Sequence, residues 1–355
     1  MRDSKKKINQ EKIKEKVKMK MNLRKGLLLL VMMVLAISLI SASGTAEEKG
    51  LKIKLGYMPN LISASIGAIG VEEGYFAEQG LDVELVKFTS GPPEFAAMAA
   101  GDLDAAIIGH GAHLLAMQGK AEIFYLECLG NSDKIMALKS ANIEKISDLK
   151  GKTIACVRGT SSEALLNLTL EKGGLTQKDV KIVSMDQNGA TAALIANQVD
   201  AAALWSPLTV TVLNQIGNNI NIISSIGDFA EKAPSPGSWI ISEKTINEKP
   251  EVVKKLTTAF LKASDFRAEN LDVAAEYVAR LIGADVSDTM QEVETAKWFT
   301  AKEIYEYAKS GQIDTWYDAE QQLFVNSGKL DAKVPVETFY HKRFIIEAYE
   351  ELFGK

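Results

Sequence analysis

Cysteine is nearly absent from this 355-residue chain: Cys128 and Cys156 are the only two. Two thiols cannot form the multiply bridged framework of a small disulfide scaffold. Cys156 falls inside a predicted strand and reads as a buried thiol, with a single Cys128–Cys156 disulfide as the alternative for an exported protein. Histidine is equally scarce, at three residues. His110 and His113 are spaced to share a metal, but His341 is far along the chain and no Cys or acidic cluster completes a ligand set. No metal and no cofactor are therefore expected. Also missing are a G-x-S-x-G nucleophile elbow, a G-x-x-x-x-G-K-[ST] phosphate loop and an H-E-x-x-H zinc motif, so no catalytic residue is assigned and the chain is expected not to be an enzyme.

An excess of positive charge is missing too, once the N-terminus is set apart. Residues 1–46 carry 11 Lys/Arg and 3 Asp/Glu, net +8, against −5 for the whole chain, so the remaining 309 residues carry −13. That balance excludes a nucleic-acid partner. The N-terminal residues themselves run basic (MRDSKKKINQEKIKEKVKMKMNLRK), apolar (GLLLLVMMVLAISLIS), then small (SASGTA), the order of a secretory signal. The basic part is long for that role, and a start at Met21 would leave a more typical MNLRK. The charge-free window Gly26–Ala46 is 21 residues long, close to the ~20 that span a bilayer, so an uncleaved anchor is the alternative. Either way the remainder faces outward, periplasmic or extracytoplasmic.

What is present after residue 50 is an alternation of strand-like and helix-like segments. LKIKLGY, LDVELVKF and DAAIIG predict strands; LISASIGAIGVEEGYFAEQ and PPEFAAMAAG predict the helices between them, the second opened by Pro92 and Pro93. About 100 residues later the series recurs: KTIACV, KDVKIVSM and VDAAALW as strands, TSSEALLNLTLEKGG and GATAALIANQ as helices. Tyr57 to Val83 is 26 positions and Val157 to Ile182 is 25. The order predicts an α/β protein of two similar β-α-β-α-β lobes with right-handed crossovers. Pro234, Pro236 and Gly237 fit a chain crossing back, and the helical remainder is expected to return to the first lobe. The expected boundaries are 1–46 as signal peptide or anchor, 47–136 with 238–355 as lobe I, and 137–237 as lobe II, with hinges near 134–140 and 234–242.

Ligands in open α/β sheets bind beyond the carboxyl ends of the strands. The loops there are YMPNLIS, TSGPP, GHGAH, RGTSSE, and DQNGA with WSP. RGTSSE offers Gly159, then Thr160, Ser161 and Ser162 at the start of a helix. It reads either as an anion site on unpaired first-turn N–H groups or as a capping box with Glu163. DQNGA is a second set of polar donors or only another cap. His110 ends a strand, where it can donate to a ligand; His113 reads as a helix-face residue. Trp205 walls an apolar part of a ligand or packs between lobes, and Trp239 reads as core.

These stretches resemble the substrate-binding proteins of ABC importers of the nitrate/sulfonate/taurine type, which include binders of thiamine-pyrimidine precursors. The resemblance spans about residues 51–330 and rests on LGYMPNLISASIGAIGVEEGYFAEQGLDVELV, GDLDAAIIG, ISDLKGKTIACVRGTSSEALL and VDAAALWSPL. It implies a two-lobed, type II periplasmic-binding-protein-like fold, each lobe a parallel-rich sheet flanked by helices. It also implies a cleft that closes on a small anionic solute (an aliphatic sulfonate, taurine or nitrate), delivered by a monomer to permease and ATPase subunits. By position it implies ligand contacts from Tyr57, Pro59, Asn60, Gly91, His110, Gly111, Gly159, Thr160, Ser161, Ser162, Asn188, Gly189 and Trp205. Two departures matter. His110 stands where small residues are common, so the solute is expected to differ from a plain alkanesulfonate. Ser206 stands where an acidic residue is frequent, an absence that argues against a ligand with an ammonium group. The alternatives are an enzyme on the same scaffold, a hydrolase or a desulfinase, or a membrane-tethered sensor; a desulfinase relative would use a cysteine in YMPNL, which this chain lacks.

Overall fold

Eleven strands of the computed structural model, which describes residues 50–230 and 232–354, form two separate sheets. The first is built from β1 (Leu51–Tyr57), β2 (Leu81–Lys87), β3 (Ala105–Ile108), β4 (Glu122–Gly130), β10 (Pro236–Ile241) and β11 (Ala296–Trp298), in the order β11-β4-β10-β3-β1-β2. The second contains β5 (Lys134–Leu138), β6 (Thr153–Cys156), β7 (Lys181–Ser184), β8 (Ala201–Leu204) and β9 (Ile220–Ser225), in the order β7-β6-β8-β5-β9. The expected signal or anchor at 1–46 lies outside the described residues. Among the described residues no helix is long and apolar enough to cross a membrane.

The two sheets repeat one plan. β1 pairs in parallel with β2 and β3, and β6 with β7 and β8, the pattern that helical crossovers demand. Next to each trio sits an antiparallel strand taken from beyond a crossing. β5 follows β4 directly but pairs with β8 and β9, while β10 follows β9 but returns to lie between β3 and β4. The chain therefore passes between sheets at 131–133 and again over 226–235, the first passage three residues long and the second ten.

The central strands of the second sheet, β6, β8 and β5, are buried on both faces, and period-two alternation assigns the sides. Ile135, Ala137, Ile154 and Cys156 pack on one core, while Met136, Leu138, Ala155 and Leu204 pack on the other. The first sheet has a larger core in which Phe260 sits 4.5 Å from the Trp239 ring and 5.8 Å from Phe124. Cys128 and Cys156 are both free thiols, buried, and on different sheets.

Each of four parallel strands runs into a helix: β1 into α1 (Leu61–Glu72), β2 into α2 (Gly91–Ala100), β6 into α3 (Ser161–Lys172) and β7 into α4 (Gln187–Ile195). α1 is shorter than the run LISASIGAIGVEEGYFAEQ predicts. Gly74 adopts φ +74 and starts a separate turn at Tyr75, which folds Phe76 back over Gly70, where a Cβ would lie 2.3 Å from the ring. The predicted helical stretch around residues 290–311 is also divided. Ala296–Trp298 pairs with β4, and a new helix starts at Ala301 behind a Thr300–Glu303 capping box.

Candidate functional site

A cavity of about 70 Å³ opens between the two sheets. A water needs only roughly 10–15 Å³, so the space is large enough for a small solute. Its wall is made of strand-end loops from both sheets and of the two crossings: Asn60 and Gly91 from the first sheet's loops, His110 after β3, Ser132 and Asp133 at one crossing, Ser235 at the other, and Thr160, Ser161 and Trp205 from the second sheet.

The turn before α3 has an unusual hydrogen-bond arrangement. Thr160 is the N-cap residue but makes no side-chain cap. Its hydroxyl donates instead to the Val157 carbonyl at 2.7 Å. The Ser162 hydroxyl accepts from the Val157 N–H at 3.1 Å, and Glu163 reaches back to the Gly159 N–H at 2.8 Å. Gly159 takes φ +73, which lets the chain double back in this way. The side chains of Thr160, Ser162 and Glu163 thus serve residues 157–159, and among the described residues the first-turn N–H groups of α3 have no side-chain partner. The capping-box alternative from the sequence is excluded. At α1, by contrast, Asn60 accepts from Ser63 N at 2.8 Å and Glu292 accepts from Leu61 N at 3.1 Å. α2 begins Gly91-Pro92-Pro93, so prolines at the second and third positions have no N–H to offer.

The α3 turn faces the opposite sheet. Gly111, in the loop after β3, lies so close that a Cβ there would be 2.0 Å from the Thr160 carbonyl carbon and 2.4 Å from the Ser161 nitrogen. Alongside, Glu163 is buried and binds Lys329 at 2.6 Å and Arg158 at 3.0 Å. Lys329 follows a helix, Gln312–Asn326, whose Ile313 and Tyr317 belong to the first core. Burial pushes the Glu163 carboxyl up, but the Gly159 N–H, Lys329 and Arg158 more than offset this and hold it below the usual glutamate range. A group held low contributes stability that is present above its unfolded pKa and is lost as pH falls through the folded one. Wild-type melting temperature should therefore fall more steeply on acidification below about pH 5 than that of Glu163→Gln. Parallel melting curves from the two proteins would remove the ion pair from the account.

His110 Nδ1 lies 2.6 Å from the Ser235 hydroxyl, while its buried Nε2 has no partner among the described residues. Burial, with a contribution from His113, pushes its pKa down to about 3, so the ring at the wall is neutral. His113 points away, into the core, with Nδ1 2.8 Å from Glu320. Asp133 is 4% exposed and its Oδ1 has no partner among the described residues. Burial raises its pKa to about 6, against the opposing pull of a Ser161 hydrogen bond and Lys134. Trp205 forms a wall, its carbonyl held by Gln187 Nε2 at 2.5 Å. Cys128 also lines the cavity, but burial and Glu127 push its thiol far up, so it is not a thiolate.

Of the residues singled out from sequence, Asn60, Gly91, His110, Thr160, Ser161 and Trp205 lie on this wall. Tyr57, Pro59, Gly111, Gly159, Ser162, Asn188 and Gly189 do not. Tyr57 is buried at the end of β1; Gly111, Gly159 and Ser162 shape the α3 turn and its neighbour. DQNGA is a cap, with Asp186 accepting from Gly189 N at 2.8 Å and Asn188 exposed. Sequence reasoning missed Ser132, Asp133 and Ser235. The signal was available in NSD and PSP, polar runs at the points where the chain crosses between apolar strands.

A model of the family described as NMT1/THI5 like matches residues 67–274. The chain belongs to the NMT1/THI5-like family. A protein of Brucella abortus (strain 2308), named only as a binding protein, is 30% identical over 308 residues, covering 87% of this chain and 95% of its own. A Bacillus subtilis (strain 168) protein named for binding aliphatic sulfonates is 27% identical over 341 residues, 93% of this chain and 98% of its own. Among solved structures, the periplasmic nitrate-binding protein of Synechocystis PCC 6803 superposes with a TM-score of 0.71 at 16% identity, over 86% of this chain and 90% of that one. The NMT1/THI5-like chain thus has the two-sheet α/β fold of a periplasmic binding protein.

Proposed function

We propose that this chain is the exported solute-binding component of an ABC importer. It takes a small anionic solute of the sulfonate, taurine or nitrate type into the cavity between two lobes and presents it to permease and ATPase subunits as a monomer. One observation carries this: the uncapped first turn of α3 meets the Gly111 loop of the opposite sheet beside the cavity. Unpaired N–H groups at a helix start favour negative charge, with about 0.3–2 kcal/mol from the dipole itself and more from each hydrogen bond made. The family and the relatives' names support the same class. Strand membership supports two lobes divided close to the expected bounds, but β5 from Lys134 lies wholly in the second sheet and β10 from Pro236 wholly in the first. The boundaries therefore move from 136/137 and 237/238, and the hinges from 134–140 and 234–242, to the crossings at 131–133 and 226–235. The solute contacts assigned here are Asn60, Gly91, His110, Thr160, Ser161 and Trp205. The relatives' periplasmic setting supports an extracytoplasmic location. Binding without catalysis is favoured by the protonated state of Cys128, the cysteine at the cavity wall.

Calorimetry with taurine, propane-1-sulfonate and nitrate tests the class. Micromolar affinity, about −8 kcal/mol, is the expected scale. Thr160→Asp is the sharper test. Aspartate is a preferred N-cap, so α3 should keep its stability while the new carboxylate occupies the free N–H groups and repels an anion. Two lost charge-assisted hydrogen bonds amount to at least about 3 kcal/mol, on the order of 100-fold in affinity. Unchanged affinity in Thr160→Asp, or no heat from any of the three solutes, would count against the proposal.

A further inference from the structure

The charge at the cavity wall has the wrong sign for a plain anion. Among the described residues no Lys or Arg lines the cavity, and Arg158, the nearest arginine in sequence to the α3 turn, is half-exposed and paired with Glu163. The His110 ring is neutral. The only carboxylate on the wall among the described residues is Asp133, nine-tenths buried and more, beside Ser161. Ser161, Ser132 and its own N–H all favour the charged form of this carboxyl, yet among the described residues Oδ1 has no hydrogen-bond partner. A buried carboxylate oxygen without a donor is costly, and native structures rarely leave one so unless something else supplies it.

Resting on the anion-binding function proposed above, we propose that Asp133 is the specificity-determining residue, its free Oδ1 receiving an N–H donor of the solute. The preferred solute is then a short zwitterion, with an anionic group on the Thr160–Ser161 turn and an amino group a few atoms away on Asp133. Three observations converge on this. The uncapped turn calls for an acceptor, the unpaired carboxylate oxygen calls for a donor, and Thr160, Ser161 and Asp133 line one cavity of about 70 Å³, so one small solute can meet both. A plain anion would satisfy the turn but leave Asp133 unpaired and repelling it. A plain cation would satisfy Asp133 and leave the turn unpaired. Around Asp133, the other charged groups are Lys134, half-buried beside it, and Asp228 near Lys134; neither lines the cavity.

The test compares each zwitterion with the analogue in which a methyl replaces the amino group: taurine against propane-1-sulfonate, and β-alanine against butyrate, by calorimetry at neutral pH. In wild type the amino member of at least one pair should bind ten or more times tighter, and Asp133→Asn should reduce that ratio toward one. Equal affinities within both pairs, or tighter binding of the methyl members, overturns the role of Asp133 while leaving the importer function standing. Asp133→Asn keeping the full preference does the same. No binding of any of the four, or of nitrate, overturns the function and this inference together. The wild-type comparison decides the matter even if Asp133→Asn fails to fold.

Discussion

Gly111→Ala is expected to abolish tight solute binding while leaving the protein folded. A methyl at this position would sit 2.0 Å from one backbone carbon and 2.1 Å from the carbonyl oxygen of Thr160. No rotamer change relieves a clash with backbone, so the α3 turn and the Gly111 loop must stay apart. Gly111 itself does not need glycine for its own conformation, because its φ is not in the left-handed region. The substitution therefore costs little within its own sheet and acts on the approach of the other. Apparent affinity scales with the fraction of molecules able to close. A shift of the closing equilibrium by about 3 kcal/mol lowers affinity on the order of 100-fold. Calorimetry should show that loss. Small-angle scattering should show solute-induced compaction in wild type and none in the variant. Wild-type affinity with normal compaction in Gly111→Ala would mean that the contact is incidental to binding.

The second large effect is on stability. Arg267 is wholly buried against Glu127 on β4. Its guanidinium also donates to Ser65 Oγ at 2.7 Å and to the Glu127 carbonyl at 2.9 Å, and lies 4.7 Å over the Trp298 ring. Glu127 in turn accepts from Trp239 Nε1 at 2.6 Å. Burial raises the Glu127 pKa, and Arg267 is the chief group opposing that rise. Arg267→Met leaves the carboxylate buried without its cation, and breaking such a pair costs about 3–5 kcal/mol. The pH dependence has a definite sign. A carboxyl with its folded pKa raised further contributes stability at low pH and loses it as pH rises through the folded pKa. Urea unfolding of Arg267→Met should therefore show a deficit that deepens from mildly acidic to mildly alkaline buffer. Adding Glu127→Gln should recover most of it. A deficit independent of pH, and unchanged in the double variant, would assign the loss to packing alone.

Much of the framework was readable from residue order because local pattern decides it. LKIKLGY is a strand over Leu51–Tyr57, and DAAIIG and VDAAALW place β3 and β8 to within a residue or two. The twofold use of one unit emerges as the shared strand order of the two sheets. What could not be read was pairing at a distance. KIMAL and PGSWII are ordinary apolar runs, and nothing local says that each joins the sheet on the far side of a crossing. The site divides in the same way. Thr160 and Ser161 were legible because a helix start advertises itself by hydroxyl residues after a glycine. Whether those hydroxyls cap the helix depends on Val157 and Glu163 geometry, which the letters do not contain. Asp133 and Ser235 were hidden for a similar reason. In sequence they are polar residues between strands, the usual place for solvated loops, and only the convergence of both crossings buries them.

That both native thiols are buried has a practical consequence. A maleimide dye will ignore Cys128 and Cys156 in the folded protein, so no cysteine-free background is needed before labels are introduced. Cysteines placed at Lys120 and Gln198, exposed positions near β4 and β8 respectively, would carry a fluorescent donor and acceptor. Energy transfer between them would then report, in single molecules, whether solute draws the two sheets together.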